Sequence, residues 1–344
     1  MVVIGAGQAG LSAAHHLLKR GLDRDRLLVL DGADCPGGAW QHRWPTLTLS
    51  TVNGVHDLPG MAFQDVLEPG EDPSAVRAAE AIPRYFAEYE RREGFAVRRP
   101  VTVRCVTEGF TVETDDGALS ARAIVNATGT WERPFIPWYP GTFGGRQLHT
   151  RDYRGPDEFA GQRVLVVGGG ISAVGHLDEI SQVAATTWVT RTPPRFTDEP
   201  FTPEVGRAAV ARVEERVRAG LPPGSVVSVT GLPWNPRYRA AQARGALDRL
   251  PMFAELTSAG ARWPDGVTRS FDVILWATGF RSALDHLAPL RLRGPGGGIT
   301  MTGRLATQVE GRPLLHLIGY GPSASTIGAN RAGRAVAAEL LAAL

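Results

Sequence analysis

Apolar positions open the chain as an unbroken run, Met1 to Ile4. The glycine turn Gly5-Ala6-Gly7-Gln8-Ala9-Gly10 follows, then Leu11, Ala14, Leu17 and Leu18 at helical spacing, and a second unbroken run, Leu27 to Leu30, ending at Asp31. Continuous runs flanking a 3.6-period segment predict strand, helix, strand, the strands buried on both faces as in a parallel sheet. The same plan returns at Arg163 to Arg191: apolar Val164 to Val167, the glycine loop Gly168 to Ala173, a helix, and a strand ending at Thr190-Arg191. The chain therefore carries two βαβ units.

Between them, Cys35 to Pro73 is rich in Gly, Pro, Trp and Thr without helical period and is expected to form ordered loops over a ligand. Ala75 to Glu93 predicts a helix. Val101 to Val125 alternates around a turn at Asp115-Asp116-Gly117, predicts a small antiparallel meander, and closes at Ala127-Thr128-Gly129. After the second unit come an expected helix at Pro203 to Ala219, a proline-rich crossing from Leu221 to Pro236, and the strand Phe271 to Trp276, which closes at a second Ala-Thr-Gly, Ala277 to Gly279. The strand Leu314 to Tyr320, the small-residue loop Gly321 to Asn330 and a C-terminal helix end the chain. This order predicts an α/β fold of two Rossmann-like dinucleotide-binding domains, one (residues 140–271) inserted into the other (residues 1–139 and 272–344).

The chemistry sits on the two glycine loops. Gly5, Gly7 and Gly10 have G-x-G-x-x-G spacing between a strand and a helix: Gly5 for the tight turn, Gly7 for close approach of a pyrophosphate, Gly10 for helix–strand packing. Gln8 and Ala9 begin the helix, whose amides and dipole favour an anion. Asp31 is placed to accept from a ribose and to repel a 2′-phosphate, which selects FAD or NAD over NADP. The second loop offers Gly168, Gly170 and Ala173, with Ile171 and Ser172 in the first turn, and here Arg191 stands where the first unit has an acid. A guanidinium there matches the 2′-phosphate of NADPH.

Composition removes several classes. Hydrophobic residues at 43% and charged residues at 21% are globular values. The net charge of +2 is spread as arginine, Lys19 being the sole lysine, so no basic patch points to nucleic acid. Cys35 and Cys105 form no C-x-x-C pair and the histidines have no metal-ligand spacing, so neither a dithiol centre nor a metal site is expected. Neither a signal peptide nor a membrane-length apolar run is seen, and a cytoplasmic protein is expected, with the first strand short enough that a few residues ahead of Met1 would suit it.

The loop Gly5 to Gly10, Gly37-Gly38-Ala39-Trp40, both strand-Ala-Thr-Gly closures, and Phe143-x-Gly145-x-x-x-His149-x-x-x-Tyr153 before the second glycine loop together resemble the flavin-containing monooxygenases over essentially the whole chain, most of all the small bacterial members. The resemblance implies FAD on the outer domain, NADPH on the inserted one, a C4a-(hydro)peroxyflavin, small substrates (thioethers, amines or ketones) oxygenated by O2, and a homodimer. It assigns Gly38, Ala39, Trp40, His42, Val103, Ala127, Thr128, Gly129 and Ser325 to FAD, and Thr278 and Gly279 to NADPH. Trp44 and His42 are open to either substrate shaping or loop packing. His149 reads as a linker and cofactor-positioning residue, and the flavin-proximal asparagine of many members falls near Ser50, with Asn53 three residues on. Tyr153, where Baeyer-Villiger members usually carry Trp, favours heteroatom oxygenation. The alternative is an NADPH-dependent flavin reductase or oxidase that passes electrons without oxygenation.

Overall fold

The computed structural model describes residues 1–52, 54–72, 74–199, 202–224 and 231–344. Asn53, and residues 225–230 of the proline-rich crossing, lie outside the described residues. The chain forms two compact units, Met1–Glu132 with Val210–Gly224 and Ser282–Leu344, and Arg133–Ala209 with Ser225–Arg281.

The first unit is built on a seven-stranded sheet. Arg312–Leu317, Ile124–Asn126, Val2–Ile4, Leu28–Leu30 and Val97–Arg98 lie side by side and parallel, and the antiparallel Gln308–Val309 and Met301–Thr302 extend the Arg312–Leu317 edge. Helix Gln8–Lys19 presses Leu11, Ala14 and Leu17 into the core. It meets the C-terminal helix Thr326–Ala343 so closely that a Cβ on Gly333 would stand 2.6 Å from Ser12 Oγ. Helix Ala78–Glu93 buries Ile82, Tyr85, Phe86 and Tyr89. The Tyr85 hydroxyl accepts from Leu58 N and donates to Met61 O, each at 2.6 Å, which pins the loop below it.

The expected meander is shorter than its alternation suggested. It comprises Val103–Val106, Thr111–Thr114 and Gly117–Ser120, whereas Ile124–Asn126 leaves it for the centre of the parallel sheet. All three residues of that strand are buried, as a strand covered on both faces requires.

The second unit holds a five-stranded, wholly parallel sheet in the order Arg249–Pro251, Ala185–Thr190, Arg163–Val167, Val273–Trp276, Arg146–His149. Val273–Trp276, expected in the outer domain, pairs on both sides within this sheet. Its four residues are buried, so its apolar run is satisfied only between two neighbours. A three-stranded antiparallel sheet, Glu255–Thr257, Gly260–Arg262 and Thr268–Ser270, was not anticipated. No helix among the described residues is long and apolar enough to cross a membrane.

His176 is fully buried with its ring 4.2 Å from that of Tyr153, and burial, then the nearby His149, push its pKa down to about 3. The unfolded chain takes up this proton near pH 6.5 while the folded chain refuses it, so stability falls as pH drops below the unfolded value. Between pH 6.5 and 5 the loss from this group approaches about 2 kcal/mol. His176→Phe is expected to flatten that part of a thermal-melting-versus-pH profile. An unchanged acid limb would remove His176 as its source.

Candidate functional site

Each glycine loop folds for the same physical reason. In the first unit Gly5 has φ +101°, Gly5 N donates to Leu30 O at 2.7 Å, and Ala127 N donates to Ile4 O at 2.8 Å. A Cβ on Gly5 would lie 2.6 Å from Ala127 O, and one on Gly10 would lie 1.9 Å from Gly5 O. Those two glycines are demanded by the protein itself. Gly7 differs, because nothing lies within 4 Å of a Cβ placed there. It caps helix Gln8–Lys19 with no side chain to occupy the first-turn amides. The loop therefore presents free N–H donors at a positive helix end, with room directly in front of them.

The surrounding elements close on this loop. A Cβ on Gly38 would approach Gly7 Cα to 3.1 Å, and one on Gly319 would approach the Ala9 Cβ to 3.6 Å and Gly129 Cα to 3.9 Å. Gly38, Ala39, Trp40 and His42 lie on one 3-10 turn, Gly38–His42. Thr128 is held by Asn126 Nδ2 at 3.0 Å and donates to Ala283 O at 2.6 Å, and Gly129 takes φ +63°. Gln8 is committed elsewhere, its side chain donating to Asn330 Oδ1 at 3.0 Å and His56 O at 3.3 Å, which leaves its backbone to face a ligand. Ser325 caps the C-terminal helix by accepting from Gly328 N at 3.0 Å.

Asp31 is buried and belongs to an ion triad invisible to motif reading. Arg99 donates to Asp31 Oδ2 at 3.2 Å and forks onto Glu90 at 2.6 and 2.7 Å. Two carboxylates face one guanidinium, and among the described residues Asp31 Oδ1 has only a long 3.4 Å contact from Ala33 N. Acceptor capacity for a ribose remains. Val103 follows the Val101–Thr102 segment that lies against Asp31 and Gly32. Ser50 is exposed and bonds within its own loop, to Thr48 Oγ1 at 2.9 Å.

The second loop reproduces the first. Gly168 has φ +143°, with a Cβ excluded by Ala277 O at 2.2 Å. Gly168 N donates to Val189 O at 3.0 Å, and Gly170 caps helix Ile171–Ile180 with nothing within 4 Å of its Cβ position. Ala173, fully buried, fills the place that in the first loop admits only glycine. Ile171 and Ser172 form the exposed side of the first turn at intermediate burial. Arg191 is exposed at the end of strand Ala185–Thr190.

In the Phe143-to-Tyr153 segment the motif residues are packed and hydrogen-bonded within the unit. Phe143 is buried over Gly145, where a Cβ would come within 2.5 Å of the Phe143 ring and 2.7 Å of Asp272 O. His149 Nδ1 accepts from Arg151 N at 3.1 Å, so the proton is on Nε2, which donates to Gly279 O at 2.9 Å. Burial lowers its pKa. With both nitrogens spent, His149 holds the second Ala-Thr-Gly closure, where Gly279 has φ +79° and Thr278 Oγ1 donates to Phe135 O. Tyr153 is fully buried and donates to Glu179 Oε2 at 2.7 Å.

Sequence reasoning missed a second cluster. Trp131, directly after the first closure, is buried; the His42 ring stacks on it at 5.8 Å, and the Arg43 guanidinium lies 4.8 Å from its centroid and 5.4 Å from that of Trp40.

Two helices that begin at glycine without a side-chain cap, each following a parallel strand, define the two-dinucleotide-binding plan of the flavoprotein monooxygenase fold. Residues 2–221 match the pyridine nucleotide-disulphide oxidoreductase family. The flavin-containing monooxygenase from Stenotrophomonas maltophilia superposes with a TM-score of 0.81 and 36% identity, covering 99% of this chain and 98% of that one. The chain belongs to the pyridine nucleotide-disulphide oxidoreductase family and, within it, to the flavin-containing monooxygenases. The indole-3-pyruvate monooxygenase YUCCA1 of Oryza sativa subsp. japonica is 34% identical over 182 residues, 50% of this chain and 43% of the relative. A Baeyer-Villiger monooxygenase of Streptomyces coelicolor is 29% identical over 254 residues, 71% of this chain and 46% of the relative. The chain spans about half the length of the curated relatives it matches.

Proposed function

We propose that the chain is an NADPH-dependent FAD monooxygenase that oxygenates small thioethers, amines or ketones. The observation that carries this reading is the pair of uncapped glycine loops, one followed by an acid and one by an arginine, in a chain 36% identical to a flavin-containing monooxygenase over nearly its full length. FAD, when bound, would supply the redox chemistry: two-electron acceptance from NADPH and the use of those electrons to put one atom of O2 into the substrate, the other being released as water.

The protein binds, orients and keeps water out. The open space before Gly7 and the first-turn amides of Ala9 and Gly10 would receive the FAD pyrophosphate, Asp31 would accept from its ribose, and Val103 would line the adenosine end. Gly38, Ala39, Trp40 and His42, with Ala127, Thr128, Gly129 and Ser325, would hold the rest of the flavin, and Ser50 and Asn53 are assigned to its reactive side. In the inserted domain Gly168, Gly170, Ile171, Ser172 and Ala173 hold the second pyrophosphate, Arg191 the 2′-phosphate, and Thr278 and Gly279 the nicotinamide end. His149, with both ring nitrogens hydrogen-bonded, is read as positioning Gly279.

The test is a two-stage mixing experiment. Yellow protein is reduced with NADPH without air, then mixed with O2, with and without a thioether. A transient absorbance unlike reduced or oxidised flavin, shortened by the thioether with formation of sulfoxide, is expected. Direct return to oxidised flavin with every candidate substrate leaves an electron-transferring NADPH oxidase in its place.

A further inference from the structure

We propose that Arg43 is a carboxylate-docking residue, so that the small molecules taken at the flavin-side loop carry a carboxylate; the inference rests on the monooxygenase reading. Arg43 is mostly buried. Its Nε is shut off from solvent without a hydrogen-bond partner, and among the described residues no carboxylate pairs with its guanidinium. Its neighbours are aromatic faces: Trp131 at 4.8 Å and Trp40 at 5.4 Å, with the His42 ring stacked on Trp131. Burial alone pushes its pKa down to about 10, which leaves it charged at neutral pH.

A buried cation without a counter-ion is costly, and indole faces only partly offset the lost hydration. Elsewhere in the same unit buried arginine is treated differently, as with Arg99, which is held by Glu90 and Asp31. A guanidinium set between two indoles, with no carboxylate partner among the described residues, has N–H groups left to fork onto a planar carboxylate. The place is apt. Arg43 follows the 3-10 turn Gly38–His42, whose first residue packs against Gly7, so an anion held there lies beside the FAD loop. The dinucleotide phosphates have their own donors in the uncapped helix end, which makes a substrate carboxylate the better-matched partner.

Benzoate is the probe, with benzamide and inorganic phosphate as controls, titrated into the oxidised holoprotein and followed by tryptophan fluorescence and flavin absorbance. Saturable benzoate binding is expected, with benzamide and phosphate at least tenfold weaker. Arg43→Met should weaken benzoate at least tenfold while FAD affinity stays within about threefold. Arg43→Lys, which keeps the charge and not the fork, should fall between. No saturable effect of benzoate on wild type overturns the proposal. So does a tenfold loss of FAD affinity in Arg43→Met with benzoate binding unchanged, or phosphate competing as well as benzoate, since either assigns Arg43 to the dinucleotide. The titration needs neither NADPH nor O2, so a protein that binds benzoate through Arg43 yet never oxygenates would fail the monooxygenase reading alone.

Discussion

Gly7→Ala is expected to fold like the wild type and to bind FAD markedly more weakly. The Cβ meets no protein atom within 4 Å, and Gly7 already has φ −80° and ψ −174°, which alanine adopts without strain. The methyl instead enters the space in front of the helix amides, where the FAD pyrophosphate is proposed to sit. Overpacking of about 1–3 kcal/mol there corresponds to roughly a fivefold to hundredfold rise in the FAD dissociation constant. Gly10→Ala, three residues on, should behave in the opposite way. Its Cβ would lie 1.9 Å from Gly5 O, so the strand–helix contact itself must open, and the apoprotein melting temperature should fall by about 4–10 °C. FAD titration and apoprotein melting of the two variants separate ligand space from packing space. If Gly7→Ala binds FAD as tightly as wild type, the pyrophosphate is not held at this turn.

What could be seen in the sequence was local. Gly5, Gly7 and Gly10, the apolar runs flanking them, and their repetition around Gly168 and Gly170 are short-range patterns whose backbone demands are intrinsic, and the structure places them at strand-to-helix turns. Pairing across sequence was not visible. The alternation through Val101 to Val125 carries no statement of which neighbour a strand takes, so Ile124–Asn126 joined the expected meander on paper while lying in the parallel sheet. Val97–Arg98 is too short to leave a period at all, though it forms the sheet edge beside Leu28–Leu30. The site shows the same division. Asp31 was legible from its spacing, but its partner Arg99 is 68 residues away, and the Trp131 that meets His42 and Arg43 is joined to them only by the fold. His149 lay between: its position in the motif was clear, while the hydrogen bonds of its two nitrogens to Arg151 N and Gly279 O were not.

Arg191→Gln is expected to weaken NADPH tenfold to hundredfold and to leave NADH within about twofold. Thr190 Oγ1 donates to Thr192 O at 2.9 Å, bending the chain at Arg191, and a Cβ on Gly169 would lie 3.6 Å from Thr190 Cγ2 and 3.9 Å from Thr192 O. The residues on either side of Arg191 therefore rest on the second glycine loop. Its own side chain is exposed and, among the described residues, has no ion-pair partner. The neighbouring Arg249 is already engaged, with Nη1 donating to Thr190 O at 3.2 Å and Leu250 O at 3.3 Å, so it is less free to reach a ligand. A charge-assisted contact to a phosphate contributes about 1.5–3 kcal/mol, which sets the size of the effect. Glutamine keeps a donor and loses both the charge and the fork, whereas Arg191→Lys keeps the charge and should retain part of the preference. Dissociation constants for the two cofactors, measured from anaerobic flavin reduction at fixed ionic strength, decide the matter. Equal losses for NADPH and NADH would mean that Arg191 shapes the loop and does not read the 2′-phosphate.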